Sequence, residues 1–288
     1  MYAVKYSRIS KKFKNKEVLN DLHLEIPKGS IFFLLGLNGE GKTTLLKITL
    51  NLLYAQSGKI LFNYDINKIG AVLDGMDVHC NLTGFQNLKY YSLLCGNYSK
   101  KKIEEIMTSV GLDFSNKRNV SKYSLGMKKR LLLAYSLIIV PDLIILDEPF
   151  NGLDPSGILE IKRLLISLKE KGVTIVLSSH LIRETEDIAT HYGILNVGKI
   201  SSIFSEKDLY EAVTCLMFDR KNEEDMEYYH KLIKLDIKLF VYVNGDIIKC
   251  FFESLHNRDD LDEFKNFIQC ATLADYFLAV TGGRDYGG

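Results

Sequence analysis

The chain has 288 residues, 47% of them hydrophobic and 25% charged, with a formal net charge of +1. That length suits two domains or one large core with an insertion, and the near-neutral balance gives no sign of nucleic acid or an anionic membrane surface as a partner. Five cysteines (Cys80, Cys95, Cys215, Cys250 and Cys270) are odd in number and show no Cys-x-x-Cys pair, which favours reduced cytosolic thiols over a disulfide frame or a zinc site. The N-terminus has no apolar core of signal-peptide type. The longest apolar stretch, Leu131 to Leu146, is interrupted by Ser136 and broken at Pro141-Asp142, too short to span a bilayer. A membrane role is therefore expected only through a partner chain.

Tyr2 to Ile9 alternates apolar and polar residues, a strand with one buried face. Lys11 to Lys16 reads as a basic turn holding one aromatic, Phe13, and Val18 to Ile26 alternates again. Pro27-Lys28-Gly29 turns the chain into Ile31 to Leu35, an apolar run expected to be a buried strand. The next eight residues, Gly36-Leu37-Asn38-Gly39-Glu40-Gly41-Lys42-Thr43, fit the phosphate-loop pattern of Gly, four residues, Gly-Lys-Thr, and Thr44 to Ile48 continues as helix. A loop bent tightly around a polyphosphate needs residues without a Cβ where the backbone approaches, and its N–H groups face the anion together with the positive end of the helix. In that role Lys42 reaches the β- and γ-phosphates and Thr43 places its hydroxyl on Mg²⁺.

Lys59 to Phe62 and Ile69 to Leu73 are short strands, the second ending on Asp74-Gly75. From residue 76 to about 140 the pattern turns helical, with Phe85, Leu88, Tyr91 and Leu94 on one face and Ile103, Ile106, Met107 and Val110 on another, and reads as a helical insertion. Leu143-Ile144-Ile145-Leu146 lacks polar alternation, so it is a central strand buried on both faces. It delivers Asp147-Glu148 at its C-terminal end. An acid there is what Mg²⁺ beside a phosphate loop requires, and Glu148 can polarise an attacking water. A helix from Ser156 to Lys171, a strand from Val173 to Leu177, the run Ser178-Ser179-His180, a helix from Ile182 to Ala189 and a strand from Gly193 to Val197 follow. His180, at the end of the next parallel strand, is expected near the same phosphates.

Beyond about Ser205 the texture changes. Asn222 to Asp225 reads as an acidic loop, and Lys238 to Val243 with Ile247 to Phe252 around Asn244-Gly245 reads as a hairpin. Leu261 to Phe267 and Thr272 to Val280 read as helices. The expected architecture is an α/β P-loop NTPase core with an N-terminal antiparallel β subdomain, a helical insertion and a small C-terminal α+β accessory domain, divided as 1–207 and 208–288. The role of the accessory domain stays open between dimer contact, regulation and packing under the core.

These residues, in this order, resemble the nucleotide-binding subunits of ABC transporters. Gly36 to Thr43 is similar to the Walker A loop, Leu143 to Asp147 to Walker B, and Tyr123-Ser124-Leu125-Gly126-Met127-Lys128-Lys129-Arg130 to the signature motif. Asn151 to Pro155 is similar to the D-loop. The resemblance implies ATP and Mg²⁺ as cofactors. It implies ATP binding by Phe13 (stacking on adenine), Asn38, Gly39, Glu40, Gly41, Lys42, Thr43 and Thr44, and metal binding by Thr43, Asp74 and Asp147. Glu148 is implied as catalytic glutamate and His180 as switch histidine. It also implies a head-to-tail dimer in which Ser124, Leu125, Gly126 and Asp154 reach the ATP of the other subunit. Such a dimer, of identical or related ATPase subunits, docks on a separate multi-span permease at the cytoplasmic face of the membrane.

Three departures from the family pattern stand out. Leu125 takes the place of the first signature glycine, Asp74 that of a glutamine, and Glu40 that of a small residue, where it is expected to face solvent. The signature form, Asp74 and Asn81-Leu82-Thr83-Gly84-Phe85-Gln86-Asn87-Leu88 together resemble the bacterial branch of bacitracin-resistance and lantibiotic-immunity exporters. Other readings are a soluble ABC-type ATPase of DNA repair or translation, against which stand the absence of a second cassette and of basic excess, and a nucleotide-gated regulatory protein.

Overall fold

The computed structural model describes residues 1–179, 182, 185–205, 213–235, 239–253, 264, 266–269 and 272–282. Strands β1 (Tyr2–Phe13) and β2 (Lys16–Pro27) form a long antiparallel hairpin, and β4 (Ser57–Phe62) pairs with the other edge of β1. The basic segment expected as a turn from Lys11 to Lys16 is mostly strand. Lys12 pairs with Glu17 and Phe13 with Lys16, leaving only Lys14 and Asn15 to turn. The opposite charges across the ladder favour the longer hairpin.

A six-stranded sheet in the order β5-β6-β7-β3-β8-β9 forms the centre. It comprises β3 (Ile31–Gly36), β5 (Ile69–Val72), β6 (Leu143–Asp147), β7 (Thr174–Ser178), β8 (His191–Asn196) and β9 (Lys199–Ser205). All neighbours pair in parallel except β8 and β9, which form a hairpin. The unbroken apolar runs have a reason in the packing. Phe33, Leu35, Ile144, Leu146, Ile175 and Leu177 enter one core, and Phe32, Leu34, Leu143, Ile145, Val176 and Leu195 enter a second core on the opposite face. Both faces of each inner strand are covered, so the middle of β6 and of β7 is apolar and their buried polar residues, Asp147, Thr174 and Ser178, stand at strand ends.

Helix α1 (Lys42–Thr49) packs with the antiparallel sheet on the second face. The first face carries α2 (Gly84–Leu94), α3 (Lys100–Ser109), α4 (Leu125–Leu137) and α5 (Pro155–Glu170). Thr83 and Gln86 close a capping box at the start of α2, and Ser99, Ser124 and Asp154 cap α3, α4 and α5 with their side chains. Within the expected helix from Ile182 to Ala189, the described residues form successive turns, with Thr185 N donating to Ile182 O and Ala189 N to Thr185 O.

The C-terminal part forms a separate antiparallel sheet in the order β11-β12-β10-β13, from β10 (Val213–Asp219), β11 (Phe240–Asn244), β12 (Ile247–Glu253) and β13 (Ile268–Gln269). The Asn244-Gly245 hairpin is present, and β10 is a strand that the sequence reading did not single out. Asn222 to Asp225 is not a loop. Asn222 caps α6 (Glu223–Leu232), its side chain accepting from Glu224 N and Asp225 N. Three acids in the first turn and His230 and Lys231 in the last suit the helix dipole, so the acidic cluster marks a helix start. Most of the expected helix from Leu261 to Phe267 lies outside the described residues. Helix α7 (Leu273–Val280), capped by Thr272, joins this sheet to the central one: Asn196 Nδ2 donates to Val280 O at 3.0 Å, and the Ser202 and Tyr276 hydroxyls lie 2.9 Å apart.

Candidate active site

The C-terminal ends of β3, β6 and β7 meet at the phosphate loop. Gly41 caps α1 with φ 107°, a backbone that L side chains rarely adopt, and a Cβ there would come within 2.9 Å of Val18 Cγ1 and Val18 O. The loop is thus pressed against β2, and Leu45 N donates to Gly41 O at 2.8 Å to start the helix. Lys42 is only 7% exposed; its Nζ donates to Gly36 O at 2.6 Å and Leu37 O at 3.2 Å. Burial lowers its pKa, opposed by the carboxylates of Glu148, Asp147 and Glu40. A polyanion entering the loop would favour the charged ammonium and supply the oxygens it now finds on the backbone.

Thr43 and Asp147, far apart in the chain, are in contact: Thr43 Oγ1 donates to Asp147 Oδ2 at 2.8 Å. Ser178 Oγ donates to the other oxygen, Asp147 Oδ1, at 2.5 Å, as the β6–β7 register pairing Asp147 with Ser178 allows. Asp147 is 3% exposed, so its hydrogen-bond partners are what make burial of a carboxylate tolerable. Glu148 follows with φ 50°, and its N–H donates to Ser178 O at 3.0 Å. Phe13, 45% exposed, lines the same cleft of about 440 Å³ with Thr44, Asp74, Glu148 and Asn151, and Lys11 Nζ sits 5.3 Å from the Phe13 ring centroid. Asn38 and Gly39 form the exposed tip of the loop and also line that cleft.

Among the described residues no group of three or more His, Cys, Asp or Glu could hold a metal ion. The site instead offers one hydroxyl, Thr43 from the loop, and one carboxylate, Asp147 from β6, with Asp74 on the cleft wall. A sparse oxygen set of this kind fits Mg²⁺, which keeps several waters and takes the rest of its shell from substrate phosphates.

Glu40 does not simply face solvent. Its Oε2 accepts from Val197 N at 2.5 Å, tying the phosphate loop to the β8–β9 turn, where Val197 has φ 48°. Leu125 is the first residue of α4, 52% exposed. Ser124 Oγ accepts from Met127 N at 3.2 Å, and Asp154 Oδ1 from Gly157 N at 3.1 Å. Ser124, Leu125, Gly126 and Asp154 do not line the phosphate cleft of their own chain. His180 lies outside the described residues. Sequence reading assigned no role to Ser178, Asn151 or Lys129. Ser178 and Asn151 stood inside quoted motifs, and Lys129 gave no local signal beyond its place in the Tyr123–Arg130 run. Lys129 Nζ donates to Glu148 O at 3.0 Å; burial lowers its pKa while Asp74 and Glu148 pull it back up.

Residues 19–151 match the family model described as ABC transporter. The lantibiotic transport ATP-binding protein SrtF of Streptococcus pyogenes is 39% identical over 203 residues, covering 68% of this chain and 88% of that protein. The bacitracin transport ATP-binding protein BcrA of Bacillus licheniformis is 33% identical across 99% of each chain. Among solved structures, the ATP-binding cassette MJ1267 superposes with a TM-score of 0.66 at 21% identity over 72% of this chain and 93% of that one. The dimeric cassette MJ0796 does so with 0.63 at 23% over 70% and 98%. No helix among the described residues is long and apolar enough to cross a membrane. With the phosphate loop, the buried aspartate and the following glutamate assembled at the C-terminal ends of the central strands, the chain belongs to the ATP-binding subunits of the ABC transporter family and is an ATPase.

Proposed function

We propose that the chain is the ATP-driven motor of an exporter, working through a separate membrane-spanning permease at the cytoplasmic face of the membrane. The observation that carries the reading is the likeness to BcrA across 99% of each chain, which takes in the C-terminal sheet as well as the ATPase core. The cargo class we infer is a peptide, antibiotic or lipid-like molecule. The division into a 1–207 ATPase domain and a 208–288 accessory domain belongs to the same proposal and is supported by the separate apolar core between α6 and the C-terminal sheet.

In the catalytic cycle Phe13 stacks on the base, while the N–H groups of residues 38–44 and Lys42 hold the phosphates. Thr43 and Asp147, with Asp74 beside them, would hold Mg²⁺, which would supply neutralisation of the phosphate charge. Glu148 accepts a proton from the attacking water, and His180 holds the γ-phosphate or that water. Ser124 and Gly126, at the start of α4, reach the γ-phosphate of the ATP on a second subunit, with Leu125 and Asp154 at the same interface. ATP therefore joins two subunits, identical or related, and hydrolysis releases them. The exposed side chains of α2, Tyr90, Leu93 and Leu94, lie beyond the Asp74 segment and are the face offered to the permease.

The test is Glu148→Gln in the full chain. Turnover falls by about a hundredfold or more while ATP binding and ATP-dependent dimerisation persist. Turnover at the native rate refutes the assignment of the base. Purification from membranes with a multi-span partner supports the exporter reading, and a chain recovered only with nucleic acid refutes it.

A further inference from the structure

Glu148 adopts φ 50°, a left-handed backbone that disfavours any residue with a Cβ. Such a conformation persists only where the surroundings over-determine it. Its N–H is held by Ser178 O, and its carbonyl accepts twice, from Asn151 N at 3.3 Å and from Lys129 Nζ at 3.0 Å. The same ammonium stands 3.5 Å from Pro149 O. Lys129 lies in the second turn of α4, its half-buried stem in a cleft of about 200 Å³ between residues 72–77, α4 and the Asp147–Pro149 segment. A charged donor on a carbonyl binds roughly twice as strongly as a neutral one. The helix that carries it begins at Ser124, whose side chain caps it.

We propose that Lys129 is a positioning residue: by donating to the Glu148 carbonyl it fixes the backbone that presents the Glu148 carboxylate, and so links the signature helix of each subunit to that subunit's own hydrolytic base. The inference rests on Glu148 being the base. Ser124 is assigned to the ATP on the opposite subunit, so α4 and Lys129 form a short mechanical path from one ATP to the residue that hydrolyses the other.

The experiment is steady-state ATP turnover and ATP affinity of the full chain carrying Lys129→Met, which keeps the apolar stem and removes the ammonium, beside Lys129→Arg, which restores a charged donor. Lys129→Met lowers kcat by about tenfold to a hundredfold with KM for ATP within about twofold, and Lys129→Arg recovers most of the rate. Added to Glu148→Gln, Lys129→Met removes no further activity, because both act on one step. Should Lys129→Met fail to fold, Lys129→Leu, which likewise keeps an apolar stem and has no donor, is read by the same criteria. A kcat within twofold of native, or a fall in rate that Lys129→Arg does not recover, overturns the proposal. Native turnover by Glu148→Gln would instead overturn the base assignment on which it stands; an inactive Glu148→Gln beside a native Lys129→Met overturns the Lys129 role alone.

Discussion

Asn87 on α2 is fully buried, and its amide uses all its hydrogen-bonding capacity. Oδ1 accepts from His79 N at 2.9 Å and from Tyr135 OH at 2.7 Å, and Nδ2 donates to His79 O at 3.0 Å and Thr83 O at 2.9 Å. It therefore pins the segment after Asp74 to α2 and α4. In Asn87→Ala the two carbonyls keep other donors, since Leu82 N reaches His79 O and Asn87 N reaches Thr83 O. The groups left without a partner are two donors, His79 N–H and Tyr135 O–H. At about 1–3 kcal/mol for each unsatisfied donor, the cost is roughly 2–6 kcal/mol. Tyr135→Phe leaves Asn87 Oδ1 its other donor and costs about 1 kcal/mol. Asn87→Asp is nearly isosteric, yet it sets a carboxylate oxygen against two carbonyl oxygens and costs at least as much as alanine. Urea unfolding measures the totals, and amide exchange of residues 79–94 shows where protection is lost. An Asn87→Asp variant within about 0.5 kcal/mol of native, or a Tyr135→Phe variant as unstable as Asn87→Ala, would show that packing rather than the amide network holds this segment.

Gly41→Ala combines a left-handed backbone with a Cβ contact at Val18, so ATP affinity by calorimetry falls at least about tenfold and the free protein loses about 1–3 kcal/mol. Glu40→Ala frees the Val197 N–H, which water can reach; the loss is about 0.5–1.5 kcal/mol, with faster amide exchange confined to the β8–β9 turn. Burial pushes the Cys215 and Cys250 thiols up to about 12 from the ordinary value of 9.0. Between those values the folded chain holds protons that the unfolded chain releases, so stability is full below pH 9 and falls as pH rises toward 12; urea midpoints at pH 8 and pH 10 measure the drop. At pH 8 a thiol reagent followed by peptide mapping labels the part-exposed Cys80 and Cys95 and spares Cys215 and Cys250 until unfolding.

The site was legible wherever its chemistry is contiguous. Gly36 to Thr43 carries its own turn, its own donors and its own helix start, and Leu143 to Glu148 carries a strand with its acid at the end. The acidic run at Asn222 was misread because acids signal a solvent-exposed loop and a helix N-terminus equally well. Only the helix that follows, with His230 and Lys231 at its far end, separates the two. Glu40 was misread for a different reason: its partner, Val197 N, lies on a turn that only the β3–β8 pairing brings beside the loop.

The amino-acid sequence by itself determined the nucleotide chemistry, the order of strands and helices on both sides of the phosphate loop, and the doubly buried character of the inner strands, because each is set by neighbours within a turn or a strand length. Tertiary structure alone decided that Thr43 bonds Asp147, that Lys129 grips the carbonyl of Glu148, and that one asparagine holds the segment beyond Asp74. Those bonds depend on strand order and helix placement, in which distant residues meet with no trace in local spacing.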